Sequence, residues 1–439
     1  MTENSEPAGT RADGGTPCFL GVDVGGTFTD LVFYTGSGEQ HCFKVPSTPR
    51  TPGASTLDGI DEIQSALGLS PQAWRDLQHT HSSTVATNAL IERRGARVGM
   101  LTTAGFRDLF GLQRLAIPHP MRFDSRRPTP LIRRALVREV TERLDASGSE
   151  LQPVDEEQAV RAARDLEAAG VEIVIVCFLH SYLNPDHEEQ VRRIVEREVP
   201  GLRVELSSDV WPQAREYERA TLTAVNAYVR PTTEAYLDQL VEGLAQRGIA
   251  TPARVSRSNG GMELARTMRE RPVVALLSGP AAGVTGAALA ADDAGWEGAD
   301  LVTVDVGGTS ADIGVIRYGR PVLSSEEHVA DFPLLIPTIA VSSIGAGGGS
   351  EIWLDETGTL KVGPRSVGAD PGPACYGRGS GESAALTDAF LAAGMLSAGQ
   401  RLGGKLELQL DPARRALERL GERVGLGAEE VADGAVQVA

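Results

Sequence analysis

One nine-residue pattern occurs twice in this chain of 439 residues, and it constrains the fold more than any other feature. Val22-Asp23-Val24-Gly25-Gly26-Thr27-Phe28-Thr29-Asp30 returns as Val304-Asp305-Val306-Gly307-Gly308-Thr309-Ser310-Ala311-Asp312. Each copy follows a short apolar run and leads into another, which reads as strand, Gly-Gly turn, strand: a β-hairpin with a glycine tip. One Gly-Gly turn is common punctuation in a sheet protein. Two in the same context imply related subdomains, each offering a hairpin to one shared ligand. Glycines without Cβ let backbone N–H groups approach a polyphosphate and tolerate positive φ. The threonine adds a hydroxyl, and an aspartate ending the first strand, Asp23 or Asp305, suits Mg²⁺, which takes one or two carboxylates beside phosphates and water.

The chain is too long for one small core and suggests two to three domains. Its net charge of −17 argues against nucleic acid or an anionic membrane as the main partner. Lysine occurs only at Lys44, Lys361 and Lys405, none of them in a Walker-type loop, so a nucleotide would be held through backbone and metal. Cys18, Cys42, Cys177 and Cys375 lack the spacing of a zinc site or a disulfide framework. Residues 1–18 are polar, without a secretory apolar run, and read as a disordered tail. The expectation is a cytoplasmic, soluble protein.

The hairpin at 19–45 extends into a three-stranded meander. Helix–strand alternation over 155–206 marks an α/β region. A long helical stretch, 217–247, should break or kink at Pro231. A strand at 254–256 is followed by a helix over 263–271, and Ser278-Gly279-Pro280-Ala281-Ala282-Gly283 opens a helix of small residues. Ser/Thr residues before Val85 read as a helix start, which favours anions. His79 and His81 share one strand face there and, with Thr84, Thr87 and Asn88, are candidates for a substrate cleft. Glycine-dense loops at 342–350 and 368–379 are candidate functional loops. Gly347 and Gly348 in the first, and Asp370, Tyr376 and Arg378 in the second, are candidate contacts to substrate or partner. Asp370 before Pro371 equally suits a turn.

The order of motifs, GGT hairpin, SGPAAGV helix, GGT hairpin, resembles the actin, sugar-kinase and heat-shock ATPase superfamily. Within it, DVGGTFTD (23–30), THSSTVATNALIERRGA (80–96), LSGPAAGV (277–284), DVGGTSAD (305–312), IGAGGGS (344–350) and VGADPGPACYGRG (367–379) resemble the hydantoinase A/5-oxoprolinase family. The resemblance implies a two-lobed α/β ATPase fold with duplicated RNase H-like subdomains, one lobe over 19–215 and the other over 216–439. It implies phosphoryl transfer from Mg·ATP to the carbonyl or amide oxygen of a small substrate, with a hydantoinase B-type partner subunit. Gly25, Gly26, Thr27, Gly307, Gly308 and Thr309 would hold the phosphates. Asp23 and Asp305 would bind Mg²⁺ or water, Asp312 would assist, and His81, Thr84, Asn88, Gly347 and Gly348 would face the substrate. For Asp30 and Asp312 a structural turn role stands beside the catalytic one. A cyclic-amide hydrolase leads the expectations; a ketone carboxylase subunit, a small-molecule kinase and a non-catalytic scaffold are the alternatives. The family carries His-Gly-Thr-Thr where this chain has His81-Ser82-Ser83-Thr84. Its members also run on to a glycine-rich adenosine motif, so the second lobe is expected to be incomplete.

Overall fold

The structure, a computed structural model, describes residues 17–26, 28–48, 51–115, 121, 123, 125–308, 310–368, 370–379, 383–402 and 406–439. Thr27, Thr309 and residues 1–16 of the expected tail lie outside these.

The first repeat forms β1 (Phe19–Val24) and β2 (Phe28–Tyr34), antiparallel and extended by β3 (Gln40–Pro46). Alternation sets their inward face: Leu20, Val22, Val24, Leu31 and Phe33 are all buried. The chain then crosses through α1 (Pro52–Leu67) to β4 (Gln78–Ser83), which pairs with β1 in parallel, and enters α2 (Val85–Ile91). Next come four parallel strands in the order Arg203–Leu206, Ile173–Cys177, Val98–Thr103 and Val137–Val140. All five residues of Ile173–Cys177 are buried, as expected of a strand covered on both faces.

Of the break or kink expected at Pro231, the break does not occur: the stretch is one helix, α3 (Glu216–Gln246). Proline removes an N–H and crowds the preceding turn. Here Thr233 Oγ1 donates to the Val229 carbonyl at 3.0 Å, and Arg230 pairs with both Glu205 and Glu234. The helix is also clamped on both sides of the proline, from Ala220 to Val229 and from Tyr236 to Leu244, by the largest hydrophobic cluster. At Gly243 a Cβ would lie 2.3 Å from Leu57, so the absent side chain lets α3 and α1 touch.

Strands β5 (Arg254–Ser256) and β6 (Met262–Leu264) return to the first sheet, whose order is β6-β5-β4-β1-β2-β3. The sheet therefore uses residues on both sides of 215/216, and the boundary expected there falls inside the unit this sheet builds. The helix expected over 263–271 is a single turn, Ala265–Met268, because Glu263 is paired opposite Val255 in the sheet.

Helix α4 (Ser278–Asp293) leads to β7 (Leu301–Val306) and β8 (Ala311–Arg317), the second repeat, with β9 (Val341–Ile344) on the other side of β8. The loop expected at 342–350 is thus strand up to Ile344. The remaining chain forms a small sheet (Ser350–Leu354, Leu360–Ser366, Ala384–Ala385) packed with helices Leu386–Ala392, Leu410–Gly421 and Ala428–Val438. Among the described residues no helix is long and apolar enough to cross a membrane.

Candidate functional site

The two hairpins share one register. Asp23 lies opposite Asp30 and Asp305 opposite Asp312. One backbone bond closes each tip: Gly25 N–H to the Phe28 carbonyl at 3.1 Å, and Gly307 N–H to the Ser310 carbonyl at 2.9 Å. Among the described residues the next amides, of Gly26 and Gly308, have no backbone acceptor, as a phosphate-facing N–H requires.

The N-terminus of α4 joins the two halves. Leu277 N–H donates to Thr87 Oγ1 at 3.1 Å and Ser278 Oγ to the Ser83 carbonyl at 3.4 Å. A Cβ on Gly279 would sit 3.5 Å from Asp23 Oδ1 and 3.6 Å from Ser82 Oγ. Helix α4 thus starts directly over Asp23. Thr84 and Asn88 belong to the same neighbourhood. Thr84 Oγ1 donates to the Val24 carbonyl and accepts from Asn88 Nδ2, which faces Gly26.

Electrostatics show which acids stand together. Desolvation raises the Asp23 carboxyl above its ordinary pKa; the Ser82 hydroxyl opposes the rise, Asp30 and Asp305 add to it, and Lys44 offsets it. Asp312 is raised in the same way, first by burial, then partly restored by the Ser343 hydroxyl that donates to it, while Asp305 raises it again. Asp305 therefore acts on both hairpins' carboxylates. Among the described residues no three His, Cys, Asp or Glu side chains form a metal cage. Two repelling carboxylates within electrostatic reach of each other fit a hard cation such as Mg²⁺, whose remaining ligands are phosphate and water.

Other expected residues fall elsewhere. His81 has no exposed surface: it lies inside the first sheet's core, its Nε2 2.9 Å from His79 Nδ1, and burial lowers the pKa of both rings. It does not line an open cleft. The amides of the first glycine loop are used internally: Gly347 N–H bonds Ser350 Oγ, Gly348 N–H the Gly307 carbonyl at 2.9 Å and Gly349 N–H the Gly308 carbonyl at 2.6 Å. The loop buttresses the second tip. The second glycine loop reaches the first tip instead, where Phe28 packs on the cluster containing Cys375 and Tyr376. Burial pushes the Tyr376 hydroxyl up to about 12, while Asp370 and Arg378 are exposed.

Two residues escaped the sequence reading. Asp388 accepts from the amides of Ala374, Cys375 and Ala385, fixing the second glycine loop. Lys44 sits opposite Asp30 in β3 and bonds its carboxylate at 2.5 Å. The scarcity of lysine was the available signal for the second; nothing local marked the first.

Sequence comparison agrees with this arrangement of motifs. The profile described as "Hydantoinase/oxoprolinase" matches residues 219–439, and "Hydantoinase/oxoprolinase N-terminal region" matches residues 19–199. The chain belongs to the hydantoinase/oxoprolinase family. Among curated members of this family, it is 38% identical to the caprolactamase subunit alpha of Pseudomonas jessenii, over 95% of this chain and 60% of that protein. It is 31% identical to the acetone carboxylase beta subunit of Xanthobacter autotrophicus, again over 95% of this chain and 60% of that protein. Two solved structures of hydantoinase/oxoprolinase relatives share its mixed α/β fold. Nucleotide-free acetone carboxylase superposes with a TM-score of 0.86 at 29% identity, and ATP-dependent caprolactamase from P. jessenii with 0.78 at 36%. Each alignment covers 96% of this chain and 61% of the other. The chain thus spans about three-fifths of the length of these relatives.

Proposed function

We propose that this chain binds Mg·ATP between its two glycine hairpins and transfers the γ-phosphoryl group to the carbonyl oxygen of a cyclic amide, which water then opens. The observation that carries this reading is that Asp23 and Asp305 hold equal registers in two hairpins, that the Asp305 charge reaches Asp23, and that Asp23 lies beside the start of α4. The Gly26 and Gly308 amides would face the phosphates, with Gly25, Gly307, Thr27 and Thr309 completing the two tips. Asp23 and Asp305 would hold Mg²⁺ or its waters, and the ion, when bound, would neutralise charge developing on the phosphates. Asp312, held by Ser343, would support Asp305. Thr84 and Asn88 would stand at the substrate side, and Gly347 and Gly348 would brace the second tip.

In this reading one O–P bond forms at the substrate carbonyl as the β,γ-bridging O–P bond of ATP breaks, and ADP leaves. The phosphorylated amide carbon becomes electrophilic enough for water, and phosphate departs. Such transfer depends chiefly on positioning and charge stabilisation. The matched hairpins further support a two-lobed, duplicated ATPase architecture, with the division near residue 277, where α4 begins, rather than at 215. A partner subunit is part of the proposal, since the relatives are named as subunits alpha and beta.

Calorimetric titration with Mg·ATP tests the reading. Mg²⁺-dependent binding, lost in both Asp23→Ala and Asp305→Ala, is expected. Binding that survives both substitutions would remove its basis. A second reading, the ATP-using subunit of a ketone carboxylase, is favoured by the TM-score of 0.86 to acetone carboxylase. Product analysis separates the two: ring-opened acid with ADP and phosphate marks the hydrolase, a carboxylated ketone the carboxylase.

A further inference from the structure

A cavity of about 580 Å³ lies away from the hairpins, between the segment after Phe110, the first turns of α3 and the hairpin around Phe332. Phe110, Leu131, Phe332 and Leu335 give it an apolar lining. Close packing does not leave such a space, whereas ligand sites commonly have this size. Its surroundings are also strained. Of nine described non-glycine residues at positive φ, Gln113 (46°) and Arg114 (51°) line it, Leu115 (60°), Arg215 (81°) and Ala330 (50°) lie within two residues of its lining, and Arg93 (56°) contacts Asp331 and Phe332. Strain of this kind gathers at ligand clamps and active sites.

The charges around the cavity define what it accepts. Arg114 Nε and Nη2 fork onto the buried Glu218 carboxylate at 2.6 and 2.7 Å, so that cation is already matched. Asp331 is paired with Arg93 at 3.2 Å, and Tyr217, Glu326 and His328 complete the ionisable lining among the described residues. No unmatched arginine or lysine faces inward among the described residues. A carboxylate-bearing ligand would meet acids without a free cation, whereas an uncharged one could place a carbonyl against Arg114 at no such cost.

Helix α2 links the cavity to the proposed nucleotide site. Thr84 at its start adjoins the first tip, and Arg93 beyond its end stacks 4.6 Å over Phe332. The seven residues of α2 keep the two about 10 Å apart, too far for direct phosphoryl transfer onto a small ring lying wholly in the cavity.

We propose that this cavity is a separate holding site for an uncharged carbonyl compound with an apolar body, a lactam or a ketone, and that it rejects carboxylate-bearing rings. The choice of carbonyl compounds rests on the proposed function; the site itself does not.

Titration of the full chain without nucleotide tests this, with ε-caprolactam and acetophenone as neutral probes and 5-oxoprolinate as the anionic one. Both neutral probes should bind, and 5-oxoprolinate at least about tenfold more weakly. Leu335→Trp, which fills the cavity, should abolish neutral binding while Mg·ATP binding and the unfolding temperature stay as they were. Glu218→Gln, which leaves Arg114 uncompensated, should shift preference toward 5-oxoprolinate. Neutral binding that persists in folded Leu335→Trp, absence of neutral binding to the native chain, or equal affinity for the anion would each overturn the proposal. If Leu335→Trp does not fold, an unchanged preference in Glu218→Gln overturns it instead. None of these outcomes touches the Mg·ATP reading, which fails only by its own titration.

Discussion

The two glycine hairpins match in sequence and register but differ in what surrounds them. In the first, β1 lies between β2 and β4, and Val22 and Val24 are 4% and 2% exposed. In the second, β7 is an edge strand, and its equivalent Val304 and Val306 are 64% and 57% exposed. Identical local patterns therefore produce the same hairpin while leaving its burial undetermined. The hairpin is a local solution to turn geometry and alternation; the environment of its side chains depends on which strand arrives alongside.

The largest expected effect tests whether the hairpins are functionally equal despite this difference. Asp23→Ala and Asp305→Ala should each weaken Mg·ATP binding by roughly 100-fold or more, read by calorimetry. A large loss in one variant only would make the site one-sided.

Stability should show the opposite asymmetry. Val22→Asp places an unpaired charge in a packed core and should lose about 3 kcal/mol or more in urea unfolding. Val304→Asp, on the open face, should stay within about 0.5 kcal/mol of the native chain. Equal losses would mean that the β7 face is covered in solution.

The support behind the second tip can be probed by glycine replacement. A Cβ on Gly349 would lie 2.7 Å from the Gly308 carbonyl and 2.9 Å from Ser366 Oγ, so Gly349→Ala should cost about 1–3 kcal/mol and loosen the tip. Gly283→Ala in α4, where the new methyl meets nothing within 4 Å, should instead gain about 0.5–1 kcal/mol. Thermal unfolding of both variants checks the contrast.

The smallest effect concerns pH. Because burial raises the Asp23 carboxyl in the folded chain, the folded state holds its proton more tightly than the unfolded state does. Nucleotide-free stability should therefore fall as pH rises from the unfolded value of about 3.9 through the raised folded value. Asp23→Asn removes that slope and should unfold at a higher temperature than the native chain at pH 7, with the difference vanishing in acid. An unchanged unfolding temperature at neutral pH would contradict the assigned cause.

Much of the fold was legible because its signals are short-range. Val22 to Asp30 and Val304 to Asp312 announce their hairpins through alternation and Gly-Gly tips, and the helix–strand alternation over 155–206 announces the α/β region. The misreadings came where tertiary contacts overrode local preference. Pro231 sits within a helix held by packing on both sides, and Glu263 joined β5 rather than a helix. In the candidate site, Thr84 and Asn88, expected at a substrate cleft, stand beside Gly26 of the first tip. The enclosure of His81 did not, since a histidine in an exposed strand and one in a core strand look alike in sequence.

By itself the sequence determined the two hairpins and their aspartates, because each depends on residues within about ten positions of one another, and the family, because the order of its motifs from 23 to 379 is written along the chain. Only the tertiary structure decided that the Asp305 charge reaches Asp23, that Lys44 pairs with Asp30, that Asp388 ties down the second glycine loop, and that residues near 110, 220 and 330 enclose a cavity. Desolvation and charge–charge energies depend on every group within several ångströms, and those acting on Asp23 are scattered along the chain from Asp30 to Asp305.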